Sequence, residues 1–444
     1  MPAAQPTVVV GGGISGLALA LSLHRDGAPV TVLEAAEAPG GTARTLLHDG
    51  FLLETGPNSV LDRDGAVEAL AGSVGLRPVP ATEGARQRAV VLGGRVRTLP
   101  THPLRWLGTD VLPLSSKARL LLEPFTRKAP AGLDESLGDF GRRHFGRTLT
   151  STLLDALQTG IWAGDLERLS VASAFPRLRA LERAHRSLLL GALRPQAGPR
   201  TRMPRPISFE GGLGGLSSAL ARALGERLRL NARATALERT ADGWRVVTEA
   251  GSVTAARVVL ALPPWDAAAL IRPFDGALAE ELSAFPSVGV AVVHLGFRPV
   301  LSPAPEGFGF LVPTGEGRDI LGTVYASSLF PFRAPEGTTL LTVLLGGAHK
   351  GALLSLDDDA LVKTARRELL ALLQVQRAPT LTHVVRWPRA IPQYNVGHAL
   401  RLEAVRGQAA RWPGLWLSGN AYGGASVADC IRSAVELSHR LRAG

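Results

Sequence analysis

Three glycines near the start of the chain, Gly11, Gly13 and Gly16, and an acid at Glu34 have the types and spacing that can hold a dinucleotide. In the run Gly11-Gly12-Gly13-Ile14-Ser15-Gly16 the first glycine permits a tight turn. The second lets the backbone approach a pyrophosphate, and the third lets a helix pack closely on a strand. A helix opening at that loop offers free N–H groups and partial positive charge to phosphate oxygens. Glu34 follows Gly16 by 18 residues, where a carboxylate accepts hydrogen bonds from ribose hydroxyls and repels a 2′-phosphate. That argues against NADP and leaves NAD and FAD. Two further glycine-rich turns decide between them: Gly40-Gly41-Thr42-Ala43-Arg44, and Gly419 to Ser426 about 400 residues later. The second suits the far end of a long cofactor, because a flavin ring needs N–H donors at its pyrimidine edge and a helix N-terminus there favours its reduced anion.

The elements that must position these residues are legible around them. Thr7 to Val10 is a β-branched run, Leu17 to about Arg25 has helical periodicity, Asp26-Gly27 is a stop, and Val30 to Leu33 is a second strand. The next stretch, with Pro39-Gly40-Gly41 and Gly56-Pro57-Asn58, reads as loops around a ligand rather than a regular βαβ array. From Pro103 to Arg205 the pattern turns helical, in segments rich in leucine and arginine. Strand signals return at Arg245–Thr248, Arg257–Leu262, Val288–Leu295, Leu340–Leu345 and Leu415–Ser418, and a helical tail runs from Val427 to Leu441. Strands on both sides of a helical block imply one domain built from separated segments with the helices inserted.

Bulk composition excludes other classes. The 444 residues are 45% apolar and 20% charged, a globular balance in a chain too long for one core, so two or three domains are expected. The formal charge of +11 is carried almost wholly by arginine, since lysine occurs only at 117, 128, 350 and 363. A basic excess can serve nucleic acid, an anionic membrane surface or an acidic small molecule. Nucleic acid is not expected: there is no zinc-ligand pattern, basic heptad region or RNA-binding signature, and 5% aromatic residues are too few for base stacking. A single cysteine, Cys430, leaves no disulfide or thiolate cluster, points to a reducing compartment and reads as a buried apolar residue. The ten histidines show no metal-ligand spacing, so no metal is expected, and His349 and His398 read as core or loop residues. The opening MPAAQPTVVV lacks a secretory pattern, and no window reaches about 18 uninterrupted apolar residues, so any membrane contact is expected to be peripheral.

The segments VVVGGGISGLALA, Gly40 to Arg44 and the GPNS turn at Gly56 to Ser59 resemble the amine oxidase and protoporphyrinogen oxidase superfamily of flavoenzymes. LQTGIWAGD (Leu157 to Asp165), GFGFLVP (Gly307 to Pro313), IPQYNVGH (Ile391 to His398) and GNAYGGASVADCIRSA (Gly419 to Ala434) are similar to the protoporphyrinogen oxidases within it, closest to bacterial, oxygen-dependent members. The resemblance spans essentially the whole chain. It implies an α/β fold: a Rossmann-like FAD-binding domain of the glutathione-reductase and amine-oxidase type, a mixed-sheet substrate domain and an inserted helical, membrane-binding domain. The expected division is 1–85, 210–285 and 385–444 for FAD, 86–102 and 286–384 for substrate, and 103–209 for the helices. Leu104–Leu107 and Leu188–Leu193 are the expected interfacial segments.

The resemblance also implies roles. Gly11, Gly12, Gly13, Ile14, Ser15, Gly16, Glu34, Thr42 and Arg44 would contact FAD, as would the turn Gly56, Pro57, Asn58 and Ser59. Thr42 departs from relatives that carry an aromatic there. Ala234 matches a position whose backbone pairs with adenine, and Trp387, Asn420, Ala425, Ser426 and Val427 match positions lining the flavin. Arg88 matches a basic residue that pairs with a propionate, Phe308, Gly309, Leu311 and Leu344 the apolar walls, and Gly160 a close approach of backbone to a pyrrole. FAD is expected to be non-covalent, since IPQYNVGH carries no cysteine. No catalytic acid or base is assigned, because the flavin accepts hydride and aromatisation drives the reaction. The implied activity is the six-electron oxidation of protoporphyrinogen IX by O2, with three H2O2 formed, late in heme biosynthesis. A coproporphyrinogen III oxidase is the alternative, and a flavin amine oxidase a more distant one. The implied partners are the porphyrinogen, O2, a membrane surface, a second copy of the chain and a ferrochelatase receiving the product. The implied location is the cytoplasm, at the surface of its membrane.

Overall fold

The structure, a computed structural model, describes residues 5–100, 108–109, 111–130, 132–185, 187–188, 191 and 205–443. The β-branched run Thr7–Val10 is the middle strand of a five-stranded sheet, in the order 415–417, 257–260, 7–10, 30–33, 228–229, with every pairing parallel. All four of its residues are buried, as a strand covered on both faces requires. Side chains alternate between the faces. Val9, Val32 and Val259 meet the helices Ile14–Arg25, Leu213–Leu224 and Val427–Ala443. Val8, Val10 and Leu260 face the other way, toward the antiparallel strands 234–240, 243–248 and 251–255 and three more helices. The opening helix stops where it was expected: Gly27, at φ +78, donates its N–H to the His24 carbonyl.

A second, seven-stranded sheet is ordered 381–392, 287–297, 339–346, 322–324, 309–311, 89–92, 95–98. It is mixed, because 309–311 runs parallel to 89–92 while its other neighbour is antiparallel. The helix Asp358–Leu373 covers one face. The long strand Leu381–Pro392 gives no clear signal in the sequence, because Arg386, Pro388 and Arg389 interrupt it. As an edge strand it tolerates a proline that a central strand would not. The expected boundary at residue 385 falls inside this strand.

The stretch after Leu33 differs from the expected loops. Thr45–His48 and Phe51–Glu54 form a hairpin around Asp49 and Gly50, both at positive φ. The Asp-Gly pair is a hairpin signal. It is obscured because Leu46 and Leu47 are exposed on the outer strand, so apolar residues do not alternate with polar ones.

Between 114 and 184 the helices Leu114–Leu121, Leu137–Phe145, Asp155–Trp162, Val171–Ala174 and Pro176–Ala184 are joined by shorter turns and by irregular stretches at 126–130, 132–135 and 163–170. Leu137, Phe140, Trp162 and Leu169 share a core there, and Tyr394 from the IPQYNVGH segment enters it. Leu104–Leu107, and Leu188–Leu193 except Leu188 and Gly191, lie outside the described residues. Among the described residues no helix is long and apolar enough to cross a membrane.

His294, on Ser287–Phe297, is fully buried, with Nε2 against the Glu54 carbonyl (3.0 Å) and Nδ1 against Thr342 Oγ1 (3.1 Å). Burial pushes its pKa down to about 3, and burial likewise pushes buried His398 down to about 4. Both fold as neutral rings, whereas the unfolded chain protonates them below about pH 6.5. Their contribution to stability is therefore complete above that pH. It is lost as pH falls toward 4, at about 1.4 kcal/mol per pH unit for each ring. Denaturant unfolding between pH 7 and 5 should show this slope, and His294→Gln should remove about one proton's worth of it; an unchanged slope would exclude His294.

Candidate active site

The first glycine loop is held open by backbone contacts that only glycine allows. Gly11, at φ +109, leaves the strand with its N–H bonded to the Leu33 carbonyl (2.8 Å), and a Cβ there would lie 2.5 Å from Ala261 O. A Cβ on Gly16 would overlap the Gly11 carbonyl oxygen, so the third glycine seats the helix on the strand. Gly13 is different: its φ is −71 and a Cβ would meet nothing nearer than Gly41 Cα at 4.0 Å. That leaves unfilled the space beside the helix N-terminus where a pyrophosphate can approach.

Glu34 closes the other side of the loop. Its carboxylate accepts from the N–H of Gly12 (2.6 Å) and of Ala36 (2.8 Å), and its carbonyl accepts from Ala232 N (2.8 Å). Ala234, which begins the next strand, is thereby carried beside Glu34. The second glycine turn docks on the first, with Gly40 N donating to Gly12 O (2.8 Å) and Gly13 bridged to Gly40. Ser217 then holds the Ala43 carbonyl (3.1 Å). Arg44 is half-buried, with a buried Nε that has no protein acceptor. Thr42 is exposed, while its carbonyl accepts from Thr55 Oγ1 (3.0 Å) and crowds Gly56.

The turn Gly56–Ser59 follows the hairpin and is fastened from below. Arg333 Nη2 donates to the Asn58 carbonyl, to Glu54 Oε1 (2.7 Å) and to Ser208 Oγ (3.1 Å). The remaining acceptor sites of Glu54 are taken by Thr45 Oγ1 (2.8 Å) and Leu213 N (2.9 Å). Asn58 Oδ1, like Arg44 Nε, is buried without a partner. Trp387 Nε1 donates to Thr55 O (2.6 Å), which joins this turn to the seven-stranded sheet.

The C-terminal glycine turn meets the same place from the opposite side. Ser426 caps the helix Val427–Ala443, accepting from Asp429 N (3.1 Å) and donating to Asp429 Oδ2 (2.6 Å). Buried Cys430 lies against Ser15 of the first loop and Gly424 O (3.7 Å), and burial pushes its thiol up to about 11. The first and last glycine turns therefore touch. Tyr394 fixes the last turn: its hydroxyl donates to Asn420 O (2.6 Å) and accepts from Gly424 N (3.0 Å), while its ring stacks on His398 at 3.8 Å. Gln393 Nε2 donates to Trp162 O (2.9 Å), tying in the LQTGIWAGD segment. Tyr394 and Gln393 are thus functional supports that the sequence reading did not single out. Their signal was present in the resemblance of IPQYNVGH but carried no assigned role.

One face of the seven-stranded sheet leads away from Trp387. Trp387 pairs with Val290, which shares a face with Val292; Val292 pairs with Leu344, Leu344 with Gly322, and Gly322 with Leu311. Residues directly paired across strands point the same way. Leu344 and Leu311 therefore flank a glycine, forming an apolar trough with both leucines half-buried. Gly160 lies over it, with space for a Cβ only 2.8 Å from the Leu311 methyls. Gly309, at φ +126, has its backbone against Thr323 O, so no side chain fits at that point. Leu311 also pairs with Val90, two residues beyond Arg88. The Arg88 guanidinium sits 4.9 Å from the Phe308 ring. Phe308 itself packs with Leu329 and Phe330 rather than on the Leu311–Leu344 face. Arg88 is exposed by area but recessed, and desolvation followed by the nearby charge of Arg63 lowers its pKa. Among the described residues it has no acidic partner.

These residues fit a dinucleotide whose ring reaches the trough. A pyrophosphate would pass Gly13 and the helix N-terminus at Ile14–Ser15, the ribose would meet Glu34, and the ring would lie among Trp387, Gly56–Ser59 and Ala425–Val427. The unpartnered Arg44 Nε and Asn58 Oδ1 are polar atoms such a group would satisfy.

The chain is similar over nearly its whole length to known proteins. Residues 14–441 match the model of flavin-containing amine oxidoreductases. The chain is 32% identical to the chloroplastic protoporphyrinogen oxidase of Oryza sativa subsp. japonica, over 98% of this chain and 87% of that one. It is 30% identical to the coproporphyrinogen III oxidase of Bacillus subtilis (strain 168), over 96% and 95%. A crystal structure from Exiguobacterium sp. 255-15, provisionally assigned as a protoporphyrinogen oxidase, superposes with a TM-score of 0.86 at 27% identity, covering 99% of each chain.

Proposed function

Because the chain belongs to the flavin-containing amine oxidoreductase family, we propose that it is an FAD-dependent porphyrinogen oxidase acting on protoporphyrinogen IX. The observation that carries this reading is the apolar trough of Leu311, Gly322 and Leu344, running from Trp387 toward Arg88, which has no acidic partner among the described residues. A flat, greasy, acidic guest matches that surface. Bound flavin supplies the hydride acceptor. The protein binds and orients: Arg88 takes a propionate, the leucines hold the macrocycle flat, and Gly160 lets a ring lie close to the backbone. The conversion removes six hydrogens as three O2 become three H2O2. FAD is held without a covalent bond, since the chain's one cysteine is buried against Gly424 and Ser15.

Amine oxidation is less well supported. Tyr325, Tyr394 and Tyr422 are all buried, so none offers a free cage wall, and Lys350 is paired with Asp319 (2.9 Å). The helical block is the proposed seat on the cytoplasmic surface of a membrane. Leu114, Leu121, Leu122 and Phe125 are exposed at 82%, 69%, 57% and 77%, an apolar patch suited to an interface from which a poorly soluble substrate is loaded.

Aerobic incubation of the yellow protein with protoporphyrinogen IX should yield porphyrin fluorescence and peroxide together. Fluorescence no faster than autoxidation would end the proposal. Arg88→Ala should lower kcat/KM by roughly 1–3 kcal/mol, mostly through KM, since it removes a charged hydrogen bond formed before the chemistry. An unchanged KM would remove Arg88 from the site.

A further inference from the structure

We propose that the helix Asp155–Trp162 is a strap closed across the apolar trough, with Asp155 as its latch, and that a planar guest binds only when the strap is raised. The inference rests on the porphyrinogen reading and adds to it how the substrate enters. The Leu311 methyls lie 2.8 Å from the place a Cβ would take on Gly160. One carbon–carbon bond is about 1.5 Å, so they are within about 4.3 Å of Gly160 Cα. A flat ring between two apolar surfaces makes two contacts of about 3.5 Å and needs a gap of about 7 Å. The gap under Gly160 is one contact too narrow for a macrocycle. Gly160 can meet a ring there only after the helix has risen by about 3 Å.

The two ends of the helix are held unequally. At the C-terminal end, Ala348 N donates to Ala163 O (2.8 Å) and Gln393 Nε2 to Trp162 O (2.9 Å), which fastens it twice beside the seven-stranded sheet. At the N-terminal end the tie to that sheet is the Asp155 carboxylate, whose Oδ2 accepts from Thr314 N (2.6 Å), three residues beyond Leu311. Asp155 is buried and its Oδ1 accepts from Gln158 Nε2 (2.9 Å), but among the described residues no cation pairs with it. Gln158 also accepts from Gly164 N (3.1 Å), which braces the helix end to end so that it moves as one piece.

The chain on either side can take up such a movement. Ahead of Asp155 the helical run 147–162 widens into a π turn, Thr150–Leu154, a place where helices bend. Leu154 in that turn packs in the core of the helical block, an apolar contact along which a packed helix slides. Behind Trp162, Ala163 sits at φ +47 and ends the helix at the doubly fastened pivot. Leu157 and Ile161 flank Gly160 on one helical face and are 41% and 49% exposed, so an apolar guest meets them first.

Because the guest holds the strap up, the latch opposes binding. Removing it enlarges the fraction of protein ready to bind and leaves the bound state unchanged. The test is stopped-flow fluorescence of holoprotein with protoporphyrin IX, beside hydrogen exchange of the Thr314 amide. Asp155→Ala should speed association about tenfold, leave dissociation within about twofold, and so tighten binding about tenfold. Asp155→Asn keeps an acceptor oxygen and should stay near wild type. Oxidised Asp155→Cys/Thr314→Cys should associate at least about tenfold more slowly than the reduced protein, and buried Cys430 does not compete for the crosslink. In wild type the Thr314 amide should exchange at least about a hundredfold faster than the core amides of Leu340–Leu345. Association unchanged or slowed in Asp155→Ala, or a Thr314 amide exchanging only with the core strands, would overturn the strap. A crosslinked protein that oxidises protoporphyrinogen as fast as the reduced one would also overturn it, with the oxidase reading intact. Early Thr314 exchange in a wild type that binds no porphyrin would instead sink the porphyrinogen reading and leave the latch standing.

Discussion

Gly13→Leu will give a folded, colourless protein. Gly13 has a φ that any residue adopts, and a Cβ there would meet no protein atom closer than 4.0 Å. On the cofactor path proposed above, the added side chain would obstruct the pyrophosphate, which would pass over that backbone. Flavin content should fall to near zero, and the variant should melt with wild-type apoprotein rather than below it. Gly16→Val makes the contrasting case. Its Cβ would overlap the Gly11 carbonyl, so the damage falls on the fold and soluble protein itself should be lost. A fully yellow Gly13→Leu would refute the assigned path of the cofactor.

Arg333→Met should cost about 3–5 kcal/mol of stability, because it strands a buried carboxylate. Arg333 is fully buried and its partner Glu54 is 2% exposed. Burial is the largest influence on each, raising Glu54 and lowering Arg333, and their mutual attraction only partly opposes it. The ion pair is supported by Thr45 and Leu213 on the Glu54 carboxylate and by Ser208 and the Asn58 carbonyl on Arg333 Nη2, while Arg333 Nε and Nη1 are buried without a hydrogen-bond partner. Without Arg333, Glu54 folds best when protonated. The loss should then be smallest near pH 4.5 and grow as pH rises through the elevated pKa of Glu54. Denaturant unfolding of Arg333→Met, and of that variant combined with Glu54→Gln, measures this. The double variant should regain much of the loss, and a single variant within about 1 kcal/mol of wild type would show that the pair is not a buried ion pair. Flavin loading should drop in parallel, because the same guanidinium fastens the Gly56–Ser59 turn.

The contrast between these two sites also measures how much the sequence disclosed. Gly11, Gly13, Gly16 and Glu34 were readable because they are local: a strand, a turn, a helix and an acid within one short βαβ unit. The five parallel strands were mostly legible as β-branched runs. Glu54 and Arg333 were not, since their pairing joins positions 279 residues apart and no local pattern marks it. Leu381–Pro392 hid behind its proline and arginines, and the Thr45–Glu54 hairpin behind an exposed outer strand. The trough of Leu311 and Leu344 depends on strand register, which composition cannot reveal.

The contact between Ser15 and Cys430 bears on how the molecule is made. The Gly11–Gly16 turn is synthesised well before the helix Val427–Ala443 that packs against it. Polypeptide that stops short of that helix therefore lacks one wall of the nucleotide seat proposed above, and should not take up flavin.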